Sequence, residues 1–414
     1  MAEALTYRHV LRLDGMRELY AAACLSRLAG RMFSLVIVLY VLDRFGSPVL
    51  AGWVAFAAMA PGLAVSPLAG ALLDRLGAAR AVVIDMAVGA LLVLALVGAD
   101  AAGVVTEPLL LALVGLYSLT SPLGTAGIRV LIPRLAPREA LDLANALDTG
   151  SYALINVAGP AVAGVVFGFV GVEAALLAIV VLYGAACVAL VPLVRRVIGS
   201  PAASPASLLG AAWAGVVYVV RHASLRGLAI SYALFQTSWG ILVVAVPVVV
   251  MADLGSGGIA DSVVGGLWAA AGLAGGLGAL FAGHLRTDGR ERLFIAAGTL
   301  ATAFAIYPLG ASFGLVGLAL ALILAGFLEG PVDVGVLSLR QRRTDPAWLG
   351  RALAVSMSFN LSGLPIGSAI GGLVVAHSPP LAFALAALTS VLAAAAAYGL
   401  VPAQDSSEHV VAKS

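Results

Sequence analysis

Four ionisable side chains stand inside long apolar runs of this sequence: Arg27 and Arg31 in one run, Glu329 and Asp333 in another. Each pair is spaced i, i+4, which puts its two members on one helix face. A charge at the centre of a bilayer costs about 2.5–3.5 kcal/mol on insertion scales, so such residues are functional candidates by default. Two uses are open to them: reversible proton binding by the carboxylates against the arginine charges, or a fixed ion-pair network. If the two runs cross a membrane in opposite directions, Arg27 and Glu329 lie at a similar depth, about nine residues or ~13 Å from the same face. Arg27 is then the expected counter-charge of Glu329, and Asp333, one turn away, titrates with Glu329 as a coupled pair. Asp85 and Asp148 fall nearer helix ends, where snorkelling or capping accounts for a carboxylate. In a further run Tyr232, Phe235, Gln236 and Trp239 recur at helical spacing and share a face, which serves either packing or ligand contact.

Other chemistries find little to work with. The 5 histidines are scattered, and neither a metal pair, a nucleophile triad nor a phosphate loop is apparent. GSGG at 255–258 lies in a loop rather than between strand and helix, so it is not a nucleotide fingerprint. Cys24 and Cys187 stand far apart, each in an apolar segment, and imply no disulfide or metal framework. A membrane enzyme is therefore not expected. A sensor would need an output domain, and the tail after Pro402 is too short for one.

The elements that must position these residues follow from composition. Of the 414 residues 62% are apolar and 11% charged, whereas a soluble domain is nearer half apolar and a quarter charged. One helical crossing takes about 20 apolar residues. The apolar runs predict spans at 18–42, 49–73, 79–98, 108–132, 146–170, 174–194, 226–250, 262–285, 292–312, 314–338, 350–375 and 380–402. The first run is too long for a signal-peptide core and reads as a retained span. Pro61, Pro67, Pro160, Pro247, Pro331 and Pro365 fall inside spans, where neighbouring helices can satisfy the freed backbone groups.

Alternate loops carry nearly all the basic residues: Arg75 and Arg80, Arg134 and Arg138, Arg195 to Arg226, Arg286 to Arg292, and Arg340 to Arg351. The opposite loops hold Arg44 beside Asp43, Asp100, Glu107, Glu173, Asp253 and Asp261. By the positive-inside rule both termini are cytoplasmic. Between the sixth and seventh spans, GSPAASPAS precedes LLGAAWAGVVYVVRHASLR. An extra span here would put the later arginine clusters outside, so the segment reads as an interfacial helix with Arg221, His222 and Arg226 at the headgroups. Small-residue spacings at Gly272–Gly276 and Gly363–Gly367–Gly371 suit close helix packing.

After the second span comes GALLDRLGAAR, with Gly70, Asp74, Arg75, Gly77 and Arg80. A glycine turn with opposed charges between two helix ends suits a latch: the carboxylate can cap a helix N-terminus while the arginines hold partners. With this loop the chain resembles the major facilitator superfamily. A second loop, AGHLRTDGRER, repeats Gly289 and Arg292 but has Arg286 where the acid would stand. Within the superfamily the order of several segments is similar to bacterial enterobactin and macrolide exporters. They are SRLAG and FGSPVLAG near the first span, RVLIPRLAPREALDLANAL from Arg129, VVYVVRHASLRG before the seventh, and LGRALAV with GLPIGSAIGG in the eleventh. NVAGPAVAG, with Asn156, Gly159, Pro160 and Gly164, is similar to part of the antiporter motif of such exporters. In the residues themselves it is a helix that Gly and Pro weaken and bend.

The resemblance implies an all-α polytopic membrane protein: twelve transmembrane helices in two pseudo-symmetric six-helix halves, each of inverted three-helix repeats around a midplane site. The halves would be 1–196 and 225–403, joined by a cytoplasmic linker at 197–224 and followed by a tail at 404–414. It places spans 1, 4, 7 and 10 around the cavity, which makes Tyr232, Phe235, Gln236 and Trp239 the candidate substrate face. The residue after the span-1 glycine, commonly acidic in those exporters, is Arg31 here. The expected function is proton-coupled efflux of small amphipathic molecules, with uptake or facilitated flow of a nutrient or siderophore as the alternative. The implied location is a bacterial cytoplasmic membrane. A monomer is expected, with no nucleic-acid partner and no cofactor beyond the coupling proton.

Overall fold

A computed structural model describes residues 6–137, 140–196, 208–283, 290–344 and 349–403. Among them the regular structure is wholly helical. A short α1 (Tyr7–Val10) leads into α2 (Met16–Phe45), α3 (Pro48–Ala57), α4 (Ala60–Leu76), α5 (Ala78–Ala101), α6 (Glu107–Leu135), α7 (Leu141–Val170) and α8 (Val172–Arg196). After α9 (Leu208–Arg221) come α10 (Ala223–Leu254), α11 (Gly258–Gly283), α12 (Glu291–Ile306), α13 (Leu309–Ser312) and α14 (Gly314–Arg342). The chain ends in α15 (Leu349–Leu361), α16 (Gly363–Val375) and α17 (Pro379–Leu400).

These helices supply 12 segments long and apolar enough to cross a membrane. Prolines fall both inside continuous helices and beside interruptions. Pro160, Pro247 and Pro331 ride inside continuous helices. Span 2 instead breaks into α3 and α4 just before Pro61, and span 11 into α15 and α16 just before Pro365. In both, the ring removes an N–H and crowds the carbonyl four residues earlier, at Ala57 and Leu361, the last residues of α3 and α15. The linker helix α9 has 14 residues, about 21 Å, against the ~30 Å of a hydrocarbon core. It lies on α10 and α15 through Val219, Leu225 and Val355 and leaves Trp213 exposed.

The helices group into two compact units. The first holds residues 1–46, 57–206 and 256–269, the second 47–56, 207–255 and 270–414. In the first, α2 packs on α8, α5 on α6 and α5 on α8. In the second, α10 packs on α17, α12 on α14 and α12 on α17. The same partners therefore recur six spans apart, which is the pseudo-symmetry of two six-helix halves. Spans 1 and 7 are the most enclosed, with 61% and 72% of their apolar windows buried against 28–44% for the other ten. They are the helices that carry the arginine pair and the aromatic face.

Glycine makes the tightest helix contacts. Gly363, Gly367 and Gly371 of α16 lie against the backbone of α10 at Ala233, Thr237 and Ile241, and Gly240 answers from α10. Toward α14 the contact glycines of α11 are Gly275 and Gly278, set against Gly326, Phe327 and Gly330, while Gly276 faces open space. The expected Gly272–Gly276 pairing is corrected accordingly: Gly275 and Gly278 share a face, and Gly276 is turned about 100° away from Gly275.

Candidate functional site

In the first unit the charges gather between α2 and α7. Arg27 donates to Asp148 Oδ1 at 2.6 Å, to the Asp148 carbonyl at 3.4 Å and to Ser151 Oγ at 2.9 Å. Both ionic side chains of this pair are only 10% exposed. The Arg27 guanidinium stacks on the Tyr152 ring at 4.7 Å from its centroid, and Arg31 approaches the same ring at 5.6 Å. One turn before the cluster, the Tyr20 hydroxyl donates to the Ala144 carbonyl at 2.7 Å. Asp148, Ser151 and Tyr152 meet the arginines because i, i+3 and i+4 share a helix face.

Two expectations change here. Arg27, read from its depth as the counter-charge of Glu329, has its carboxylate partner in its own unit, at Asp148. Asp148 is not a capping or snorkelling residue but the buried half of an ion pair. Counting residues from helix ends gave depth and no azimuth, and azimuth decides the partner.

The antiporter-like segment of α7 borders the same cluster. Gly159 lies against Cβ of Arg31, where a methyl group would find no room. Gly164 packs on Gly265 and on the Asp261 carbonyl of α11, and Pro160 turns its carbonyl to Gly265. Asn156 is half-buried, and its Oδ1 is enclosed without a hydrogen-bond partner.

In the second unit the candidate acids and the aromatic face come together. The Tyr232 hydroxyl of α10 donates to Asp333 Oδ1 of α14. Tyr232 and Phe235 rings lie 6.0 Å apart. Phe235 is fully buried, Gln236 and Trp239 nearly so, and Asp333 is exposed. Glu329 is half-buried one turn before Asp333, beside the close contact made by Gly326 and Gly330. Arg340, read in sequence as one of the loop arginines, is instead only 3% exposed. It sits two turns beyond Asp333 on the same helix. With the Asn360 amide oxygen turned toward it, the guanidinium has an acceptor while the amide nitrogen donates to the Ser356 carbonyl at 3.0 Å. Arg340 and Asn360 were not legible as partners because they lie on different spans. The neighbouring arginines serve helix ends: Arg342 pairs with Glu291, and Arg343 donates to Ser224 Oγ at 3.0 Å and to the Pro402 carbonyl at 2.7 Å.

A further carboxyl lies apart from both clusters. Asp85 of α5 is laid directly over Gly124 of α6, leaving no space for a Cβ there, with the Thr120 hydroxyl beside it. Tyr117 and Tyr183 share a hydrogen bond nearby, and both ring edges border the space where a Cβ on Gly89 would stand. Asp85 thus packs between helices on Gly124 beside the Thr120 hydroxyl, which corrects its reading as a snorkelling or capping acid.

The candidate latch loop after the second span is a one-residue connection. Gly77 alone separates α4 from α5, at φ 82°, a value glycine adopts without steric penalty. Its N–H donates to the Leu73 carbonyl at 2.9 Å, and its own carbonyl accepts from Ala81 at 3.0 Å. Arg75 and Arg80 are exposed. Gly70 and Asp74 belong to α4, but their side-chain surroundings lie outside the described residues, as do Arg286 and Gly289 of the second loop.

This architecture has known counterparts. Residues 19–227 and 228–413 each match the family model of the Major Facilitator Superfamily. The chain is 49% identical over 402 residues to an uncharacterized MFS-type transporter, y4rN, of Sinorhizobium fredii, covering 97% of this chain and 98% of that one. Solved structures share the fold at low identity. A peptide transporter POT in complex with sulfate has a TM-score of 0.72 at 13% identity, covering 96% of this chain and 97% of that one. A D-xylose-proton symporter has a TM-score of 0.70 at 14% identity, covering 94% and 98%. A nucleoside transporter, NupG, has a TM-score of 0.70 at 15% identity, covering 93% and 100%. Two family matches spanning nearly the whole chain, on 12 membrane-crossing segments, identify a multi-pass membrane protein that belongs to the Major Facilitator Superfamily of small-molecule transporters.

Proposed function

We propose that the chain exports small amphipathic molecules across a bacterial cytoplasmic membrane in exchange for protons, by alternating access of two six-helix halves. The halves are residues 1–196 and 225–403, with the linker, the tail and both termini in the cytoplasm, and the working unit is a monomer. No catalytic step and no cofactor enters the cycle; the coupling ion is the proton.

The observation that carries this reading is the hydrogen bond from Tyr232 to Asp333. It ties the candidate substrate face of span 7 to the acid pair of span 10. A molecule that displaces the Tyr232 hydroxyl takes a donor away from Asp333. The proton load of Glu329 and Asp333, which act as a pair one turn apart, thereby responds to occupancy. Glu329 is the main coupling carboxylate and Asp333 its modulator. Arg340 supplies the positive charge on the same helix. Phe235 and Trp239 give an apolar wall, and Gln236 one polar group, which suits weakly polar amphipaths better than a densely hydrogen-bonded sugar.

The test is proton release from purified protein on addition of compounds found by screening a drug-hypersensitive host. Glu329→Gln is expected to abolish proton-driven efflux while substrate still binds, and Asp333→Asn to be milder. Unchanged proton release in Glu329→Gln would reduce the pair to structure. Net movement down the proton gradient in the same direction as the proton would replace export by uptake.

A further inference from the structure

Arg31 has a property that no other charge in the cluster shares. It stands midway along the 30-residue α2, roughly 20 Å from either end, beyond the reach of a snorkelling side chain. Its stem is pinned in the notch left by Gly159, and its guanidinium leans on the Tyr152 ring at 5.6 Å. Among the described residues no carboxylate, carbonyl or hydroxyl accepts from it, and the side chain is exposed. Arg27, one turn earlier, is neutralised by Asp148. The cluster therefore carries one uncompensated positive charge. An arginine cannot act as the proton carrier, because its guanidinium stays protonated. What it offers is a fixed cation with five N–H donors in a planar fork that matches a carboxylate.

A second observation points to the same spot. Tyr152, Asn156 and Gly159 recur at i, i+4 and i+7 on one face of α7, so Asn156 sits between the two points where Arg31 touches that helix. Its amide oxygen is enclosed and lacks a partner. The amide can turn, so the same position can also present an N–H.

We infer that Arg31 and Asn156 form an anion subsite that takes the carboxylate of an amphipathic acid, with Tyr152 as its apolar floor. The inference rests on the transporter reading and narrows its substrates to molecules with one acidic group on an apolar body. The Arg27–Asp148 pair keeps the neighbouring cation occupied, so the subsite takes one charge and not two. Gly159 is the residue that lets the guanidinium lie flat against α7.

Matched probes test this on the full-length purified protein: 4-butylbenzoate, its neutral amide, the cationic 4-butylbenzylamine, and inorganic phosphate, each titrated by thermal stabilisation. The wild type is expected to bind the benzoate about ten- to a hundredfold more tightly than the amide, the range of a hydrogen bond to a charged group. Arg31→Gln should erase that preference while leaving amide binding unchanged. Arg31→Lys should restore part of it, and Asn156→Ala should reduce it. The inference is overturned if the preference survives Arg31→Gln, if the benzylamine binds best, if phosphate alone binds as well as the benzoate, or if no carboxylate stabilises the protein at millimolar concentration. The transporter reading fails separately, if the protein in proteoliposomes moves none of the probes or screened compounds although the benzoate binds.

Discussion

Asp148→Asn removes one partner of the Arg27 ion pair and nothing else. The pair is 2.6 Å long with both side chains 10% exposed, so water cannot replace the lost carboxylate. Breaking a buried pair from one side costs about 3–5 kcal/mol, because the remaining charge stays buried and uncompensated. Here the residual charge would adjoin Arg31, which stacks on the same tyrosine ring, and two like charges at i, i+4 add to the cost. Ser151 and the Asp148 carbonyl still accept from Arg27, which holds the cost toward the lower end. For a unit of roughly 200 residues, 1 kcal/mol shifts Tm by about 2–4 °C, so a fall of about 10 °C is expected. The assay is thermal unfolding in detergent followed by size-exclusion fluorescence, read as a double-mutant cycle. Arg27→Gln/Asp148→Asn should recover most of the loss, since no buried charge is then left alone. A fall of less than about 2 °C for Asp148→Asn, or a double variant no better than the single, would refute the assignment of Asp148 as the partner Arg27 depends on.

Three other outcomes are expected. Asp74→Asn should reach the membrane normally and transport poorly, because an amide lacks the charge with which a carboxylate stabilises a helix N-terminus; full transport by a well-expressed variant would reduce the loop to a topology signal. Alanine at Tyr232 and at Trp239 should change the compound profile unequally, whereas Phe235→Ala, at a fully buried ring, should chiefly cost stability, by about 3–5 kcal/mol; equal loss for all compounds in all three would favour packing alone. Gly367→Val places a branched side chain against the Thr237 backbone and should destabilise by at least the 1–3 kcal/mol typical of overpacking, measured as Tm in the same assay.

The number and order of spans were legible because each is set by a local property, a run of apolar residues long enough for a bilayer. The interruption at Pro61 was less so: Pro160 and Pro61 look alike in sequence, yet one sits in a continuous helix and the other after a break. Either proline removes one helical N–H, so the residue type alone does not tell the two apart. The same limit governs the site. Spacing put Arg27 with Arg31 and Glu329 with Asp333, since i, i+4 is a local relation. It could not pair Arg27 with Asp148, 121 residues away, or bring the Tyr232 hydroxyl to Asp333, 101 residues away. Arg340 was misread for a related reason: basic residues near span ends are usually topology determinants, and only the packing of Asn360 shows this one to be enclosed.

Glycine also makes close contacts between helices of the two sequence halves. Residues 256–269 of α11 cluster with the first unit and residues 47–56 with the second. In the first unit Gly164 and Gly168 of α7 meet Gly265 and Gly258 of α11 backbone to backbone, and in the second Gly52 of α3 meets Gly372 and the Ser368 carbonyl of α16. Both are contacts between a helix of one sequence half and a helix of the other. They are built largely from Cα atoms and carbonyls, and Ser262 Oγ adds a 3.4 Å hydrogen bond to the Gly164 carbonyl. Among the described residues these surfaces are held mainly by dispersion, about 0.1–0.2 kcal/mol per atom pair. The ion pair that would be costly to break, Arg27 with Asp148, lies wholly within one unit. The same division holds for Tyr232 and Asp333 in the other. In each unit the ionic or hydroxyl contact, Arg27 with Asp148 or Tyr232 with Asp333, joins helices of one sequence half, while these glycine contacts join a helix of one half to a helix of the other.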